Sequence, residues 1–149
     1  MKTQALESSI YWQMVQVAVR VKHDLGRLAE TYDLTNMQVF TLCSLSPSED
    51  LPMNRLSHLL ACDASNVTGI VDRLVQRGLI TRAECETDRR VKVISLTESG
   101  RQLREVMIEE IVSNRPPTMS VLSEKELEQF DYLLTKALTK QEKDSQKKS

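Results

Sequence analysis

Residues 56–100, LSHLLACDASNVTGIVDRLVQRGLITRAECETDRRVKVISLTESG, decide the fold. The stretch reads as two short helices meeting at a tight turn, then a β-hairpin whose tip carries Asp88, Arg89 and Arg90. Asp63 is placed to N-cap the second helix, and Gly78 to stop it in a left-handed conformation after Arg77. Between them Val67, Ile70, Val71 and Leu74 recur at the i, i+3, i+4, i+7 spacing of one buried face. Ser65, Asn66, Thr68 and Gly69 are left on the other side, a first turn that another molecule can approach closely. Ile80 and then Val91, Val93 and Ser95 fit two strands joined by ECETDRR. The layout is that of a winged helix-turn-helix, which presents its second helix to the major groove of DNA and its hairpin tip to the adjacent groove. DNA binding is the function this stretch predicts.

Working outward, a first helix is expected from about Leu6 to Tyr32, since Leu6, Ile10, Met14, Val17, Val21, Leu25 and Leu28 recur at steps of three and four. Thr35 and Gln38 form a capping box that opens a second helix, with Met37, Phe40, Leu42 and Leu45 inward. Pro47 and Pro52 in PSEDLP interrupt it. A third helix from about Met53 to Leu60 turns Leu56, Leu59 and Leu60 inward. Beyond the hairpin, Thr97 caps a fifth helix to about Ser113, with Leu103, Val106, Met107 and Ile111 on one side. A break at Asn114–Thr118 follows, and a second capping box, Ser123 with Glu126, opens a sixth helix carrying Leu127, Phe130, Leu133, Leu134, Ala137 and Leu138. The fold class is mainly α with a small β-hairpin wing and about six helices. The apolar stripes on helices one, five and six are too long for one small lobe to cover, which predicts an obligate or near-obligate dimer.

At 149 residues, 40% apolar and 28% charged, the chain has the length of one domain with a real core. Only 4% aromatics with four Gly and four Pro argue against a strand-rich sandwich, which needs frequent turns. The net charge of −1 means that any affinity for DNA has to come from a local patch. Residues 55–92 supply one, with Arg55, Arg73, Arg77, Arg82, Arg89, Arg90 and Lys92 against Asp63, Asp72, Glu84, Glu86 and Asp88. No apolar run approaches the ~18 residues of a membrane span, and MKTQALESS lacks the plan of a signal peptide, so a cytoplasmic protein with no membrane partner is expected. Cys43, Cys62 and Cys85 are odd in number and scattered, which suits small buried hydrophobes better than a disulfide framework or zinc site. Cys43 lies in an apolar helix, where burial blunts a thiol. His23 and His58 lack partners at metal-ligand spacing, and no cofactor is implied. With no nucleophile, base and orienter to name and no glycine-rich phosphate loop, the chain does not read as an enzyme.

The run SNVTGIVDRLVQRGLITR at 65–82, followed by Asp88-x-Arg90, Leu96-Thr97 and Gly100, resembles the MarR family of bacterial and archaeal transcriptional regulators. The helix order fits from Leu6 to about Leu138. The resemblance implies an intertwined homodimer, with residues 1–33 and 98–140 as dimerisation helices, 34–97 as the DNA-binding lobe and 141–149 as a polar tail. Two lobes would read the halves of a pseudo-palindromic operator. Ser65, Asn66 and Thr68 would face bases and phosphates, and Arg90 would enter the minor groove with Asp88 holding its guanidinium. Asp88 also suits the hairpin turn itself. Asn66 can bond adenine N6 and N7 together, although Asn also favours helix starts. Arg89 joins Arg90 as a DNA contact, Arg73 braces the wing or meets a phosphate, and Arg77 reads as a surface charge near a helix C-terminus. Family analogy implies a repressor released by a small aromatic or phenolic effector lodged between the dimer helices and the reading lobe. Tyr11, Trp12, Met14, Tyr32 and Phe40 are the candidate walls. The alternatives are a redox-sensing regulator of the same fold that uses Cys43, Cys62 or Cys85, and a winged-helix protein-interaction module.

Overall fold

The computed structural model describes residues 9–146, with side chains as far as Thr139, and falls into two compact units that divide between Asn114 and Arg115. Leu6, the expected start of the first helix, lies outside the described residues. In the first unit α1 spans Ile10–Thr31, α2 Asn36–Ser44, α3 Met53–Leu60, α4 Ala64–Gln76 and α5 Glu98–Ser113. The strands are β1 Leu51–Pro52, β2 Ile80–Glu84 and β3 Lys92–Leu96. They form one antiparallel sheet in the order β1-β3-β2. Ile80 stands opposite Leu96 and Glu84 opposite Lys92, while Leu51 and Pro52 pair with Ile94 and Val93 on the other side of β3. Val91, expected in a strand, lies just before β3.

The core gathers Val39 and Leu42 of α2, Leu56 of α3, Val67, Val71 and Leu74 of α4, Ile80 and Ile94 of the sheet and Met107 of α5, all buried. The α4 face therefore packs at the spacing its sequence shows. Two other faces differ from expectation. Phe40 is 44% exposed and Leu59 is 52% exposed, and Met37 is only half-buried. Leu42 and Leu45 are buried as expected, but the other inward residues of α2 are Gln38, Val39 and Thr41. Two polar groups can take that side because both are satisfied locally. The Gln38 side chain accepts from Thr35 N–H at 2.8 Å in the capping box, and the Thr41 hydroxyl donates to the Met37 carbonyl at 2.6 Å. On α3 the pair Leu56 and Leu60, one turn apart, faces the core and leaves Leu59 outside. Asp63 occupies the N-cap of α4, yet its side chain makes no cap bond.

Along α1 only Ala29 is buried, with Leu25 and Leu28 packed against the core. Ile10, Tyr11, Met14, Val19 and Val21 are exposed, as are Val106 and Ile111 of α5, so within one chain these apolar faces stay in water. The second unit contains a 3-10 turn, Pro117–Met119, and α6, Glu124–Gln146. Its capping box is formed, Ser123 N–H donating to Glu126 Oε2 at 2.9 Å and Glu126 N–H to Ser123 Oγ at 3.4 Å. Tyr132, Leu133, Leu134 and Leu138 are exposed on α6.

The chain passes from α4 to the sheet and from the sheet to α5 at one junction. Gly78 takes φ 67°, and Leu79 N–H closes back on the Leu74 carbonyl at 3.0 Å, the 6→1 bond of a Schellman ending. Thr97 Oγ1 accepts from Gly100 N–H at 3.0 Å and donates to the Gly78 carbonyl at 2.7 Å. A Cβ on Gly100 would lie 1.9 Å from the Leu79 carbonyl oxygen, which is backbone and has no rotamer to swing away. Gly100→Ala is expected to cost about 3 kcal/mol or more, the upper range of overpacking. Urea unfolding of both proteins at one protomer concentration measures it, and a loss under about 1 kcal/mol would mean that the junction yields easily.

Candidate nucleic-acid interface

The first turn of α4 exposes Ser65, Asn66, Thr68 and Gly69 together. This follows from the apolar spacing, since burying Val67 and Val71 rotates these residues outward. The Thr68 hydroxyl donates to the Ala64 carbonyl at 2.9 Å, which fixes its rotamer and leaves its oxygen facing outward as an acceptor. Gly69 has no neighbour within 4 Å of where a Cβ would stand.

The wing is the β2–β3 hairpin. Past Glu84 and Lys92 the Cys85 N–H still donates to the Val91 carbonyl, and the Val91 N–H to the Asp88 carbonyl, both at 2.9 Å. Asp88 Oδ1 accepts from the backbone N–H of Arg90 at 3.0 Å. Of the two readings of Asp88, turn former is the one with a bond in this structure, and its carboxylate is spent on the Arg90 backbone instead of its guanidinium. Arg89 and Arg90 project from that turn, both exposed and without an ion pair among the described residues.

Between α3, α4 and the wing runs a groove of about 850 Å³. It is walled by Asn54, Ser57 and His58 of α3, Thr68 of α4, and Arg82, Glu84, Arg90 and Lys92 of the wing. The structure thus brings Thr68 and Arg90 to one surface, with three cations against one carboxylate. Ser65, Asn66, Arg73 and Arg89 lie outside its walls. The α3 residues escaped the sequence reading, where His58 was weighed only as a metal ligand. Their signal is positional, because Asn54, Ser57 and His58 share one helix face at steps of three and four.

Two arginines have different work from that expected. The brace between α4 and the wing is Arg82, whose Nη1 lies 2.9 Å from Asp72 Oδ1, whereas the adjacent Arg73 is exposed without a partner among the described residues. Arg77 is more than a surface charge, since its guanidinium donates to the Asp33 carbonyl and, at 3.0 Å, to the Tyr32 carbonyl. Of the candidate effector walls, Tyr11, Met14 and Phe40 are exposed and Trp12 is half-buried. Tyr32 donates its hydroxyl to Glu110 Oε2 at 2.7 Å. None of the five borders the groove or the smaller hollow on α1 walled by Lys22, His23 and Asn36.

All three cysteines are half-buried free thiols, so none is the fully buried hydrophobe expected. Burial pushes the Cys43 thiol up from its ordinary value, against the opposing pull of Arg104. The thiol of Cys85, in the wing, is drawn down by hydrogen bonds from the Thr87 hydroxyl and the Thr87 and Asp88 backbone.

An exposed polar first turn on the second helix, with a cation-bearing hairpin sharing its groove, defines the reading head of a winged helix-turn-helix regulator. Residues 34–92 match the MarR family model. The repressor MdtR of Bacillus subtilis is 29% identical over 135 residues, covering 88% of this chain and 84% of MdtR. Among solved structures, BpsR of Bordetella bronchiseptica superposes with TM-score 0.71 at 26% identity, covering 87% of this chain and 93% of that one. The reduced form of MarR from E. coli superposes with TM-score 0.77 at 23% identity, covering 87% and 96%. Several further regulators align over about half of their own length. Residues 34–92 thus carry a MarR family domain, and the chain shares the winged helix-turn-helix fold of these transcriptional regulators.

The Arg82–Asp72 pair is partly exposed, so it contributes little to folding, typically under about 1 kcal/mol. Its effect is on where the wing stands relative to α4. Asp72→Asn is expected to leave the unfolding midpoint within about 3 °C while weakening DNA binding roughly fivefold. Calorimetry and fluorescence anisotropy check the two halves, and a variant that binds like wild type would mean that the wing holds its place without the brace.

Proposed function

We propose that the chain is a homodimeric repressor that binds a pseudo-palindromic operator and is released by a small aromatic or phenolic effector. The observation that carries this reading is the single groove shared by Thr68 of α4 and Arg90 of the wing, where one element suits the major groove and the other the narrow adjacent groove. Ser65, Asn66 and Thr68 read bases and neighbouring phosphates. Arg90 enters the minor groove, where the negative potential is concentrated, and Arg89 and Arg73 meet the backbone. The apolar faces of α1 and α5 and the exposed leucines of α6 supply the dimer surface, with residues 1–33 and 98–140 intertwining and 34–97 serving as the lobe. The relatives are regulators, so the protein acts on the chromosome, in the cytoplasm, and without catalysis of its own.

The effector class rests on BpsR, whose DNA binding is regulated by 6-hydroxynicotinic acid. Tyr11, Trp12, Met14, Tyr32 and Phe40 would meet such a molecule only once a second chain closes over α1. A ligand of this kind releases DNA by binding one arrangement of the two lobes better than the other.

The test is DNA selected from a randomised pool by wild type, titrated at several salt concentrations with and without 6-hydroxynicotinic acid. Arg90→Ala is expected to weaken binding at every sequence and lower the magnitude of the salt slope by about 1 per protomer. Asn66→Ala is expected to change the preferred sequence, with about 1–3 kcal/mol of discrimination lost at one base pair of each half-site. Unchanged affinity and slope for Arg90→Ala would remove the wing from the interface. A uniform loss for Asn66→Ala would make that residue a phosphate contact, and no response to any aromatic acid would end the effector reading.

A further inference from the structure

Arg77 stands at the far end of α4 from the reading turn, nine residues past Thr68 and so about 13 Å along the axis. Its guanidinium reaches away from α4 to the end of α1, bonding the Tyr32 and Asp33 carbonyls, with Asp33 Oδ2 at 3.8 Å. Those carbonyls belong to the C-cap of α1 and to the residue after it, past the last helical residue Thr31, where the helix supplies no N–H to bond them. The α1 helix also has no basic residue in its last turn, so the cation that complements its negative end comes from α4. Asp33 takes the left-handed conformation, φ 52°, in a Schellman ending with Leu34 N–H bonded to the Ala29 carbonyl at 2.8 Å. Most helices place glycine there to avoid strain. An aspartate at this position adds a carboxylate that faces Arg77. The Tyr32 side chain continues the chain of contacts, its hydroxyl donating to Glu110 of α5 at 2.7 Å. Hydrogen bonding to Glu110 and burial raise the Tyr32 phenol above its ordinary value, so the bond keeps its proton throughout the neutral range.

We infer that Arg77 is a positioning residue, which through Tyr32 and Glu110 ties the tilt of α4 to the dimerisation helices α1 and α5. The inference rests on α4 being the DNA-reading helix. The lever is long relative to the contacts it controls. A tilt of about 10° pivoting at Arg77 moves Thr68 about 2 Å, which exceeds the tolerance of a hydrogen bond to a base edge. An effector seated against α1 and α5 therefore has a route to the reading turn that runs through polar bonds at the pivot.

The test uses the full chain as a dimer with DNA selected by wild type from a randomised pool. Arg77→Ala and Arg77→Lys are both expected to weaken binding to that DNA about tenfold, with unchanged salt slope and with binding to unrelated DNA within about threefold. Lysine keeps the charge but cannot hold two carbonyls in one plane. A direct phosphate contact by Arg77 would behave otherwise, with Arg77→Lys near wild type and the slope lowered by about 1 per protomer for Arg77→Ala, and either result overturns the inference. Tyr32→Phe removes only the bond to Glu110 and keeps the ring packed. It is expected to speed amide exchange across residues 64–76 in the free protein while exchange in residues 53–60 stays the same. In combination with Arg77→Ala it is expected to add less than a factor of two in DNA affinity. Unchanged exchange in Tyr32→Phe, or fully multiplicative losses in the double variant, would show that the bonds are independent. If wild type selects no DNA sequence, the reading of α4 fails, and the exchange comparison still decides whether the linkage exists.

Discussion

The structure depends on a distance that only a hydrogen atom permits. Where α4 hands over to β2 and β3 hands over to α5, the two chain segments cross so closely that Gly100 has no room for a Cβ beside the Leu79 carbonyl. Thr97 fastens the crossing from both sides, capping α5 and holding the Gly78 carbonyl. Because one residue serves both, the direction of α4 and that of α5 are set at a single point. Packing then fixes the rest. Val67, Val71 and Leu74 can be buried only if the polar first turn of α4 faces out, and Met107 ties α5 into the same core.

Charge follows a different logic from packing in this molecule. The net charge of −1 offers no general attraction to a polyanion, and two cations of the reading head are neutralised in place, Arg82 by Asp72 and Lys92 by Glu84. Pairs of this kind add little to stability at the surface, but they leave Arg89 and Arg90 at the wing tip without an ion pair among the described residues. On the proposed reading, such a head would have weak indiscriminate affinity for DNA and put its remaining positive charge where shape and position matter.

What was legible in the sequence was whatever is encoded locally. The two capping boxes, the apolar face of α4, the left-handed stop at Gly78 and the hairpin are patterns within four or five residues, and each appears where its spacing puts it. The inward faces of α2 and α3 were legible only in part: Leu42, Leu45, Leu56 and Leu60 are buried as their spacing implies, but Phe40 and Leu59 fit an apolar period as well as Val39 and Leu60 do, and tertiary packing chooses between them. β1 was missed since two residues, one of them proline, carry no strand signal of their own. At the site, the exposed residues of α4 and the wing tip could be named in advance. Their partners could not, because the links from Arg82 to Asp72 and from Arg77 to Tyr32 join separate elements and obey no sequence period. The aromatic residues of α1 were a harder case, since Tyr11 is exposed and Trp12 half-buried, and neither borders the groove or the hollow on α1.

The short strand β1 has a consequence for how such a protein can change over generations. By pairing with β3 it makes β3 the middle strand, so the base of the wing is held on both sides while residues 86–90 lie beyond the last cross-hairpin bond, Cys85 N–H to the Val91 carbonyl. Lengthening a surface loop of that size carries only a small entropic penalty. Insertions, deletions and exchanges at the tip can therefore accumulate without disturbing the core or the crossing at Gly100. The fold separates a segment free to drift from a frame that cannot, which lets a duplicated gene acquire a new binding site by altering a few codons.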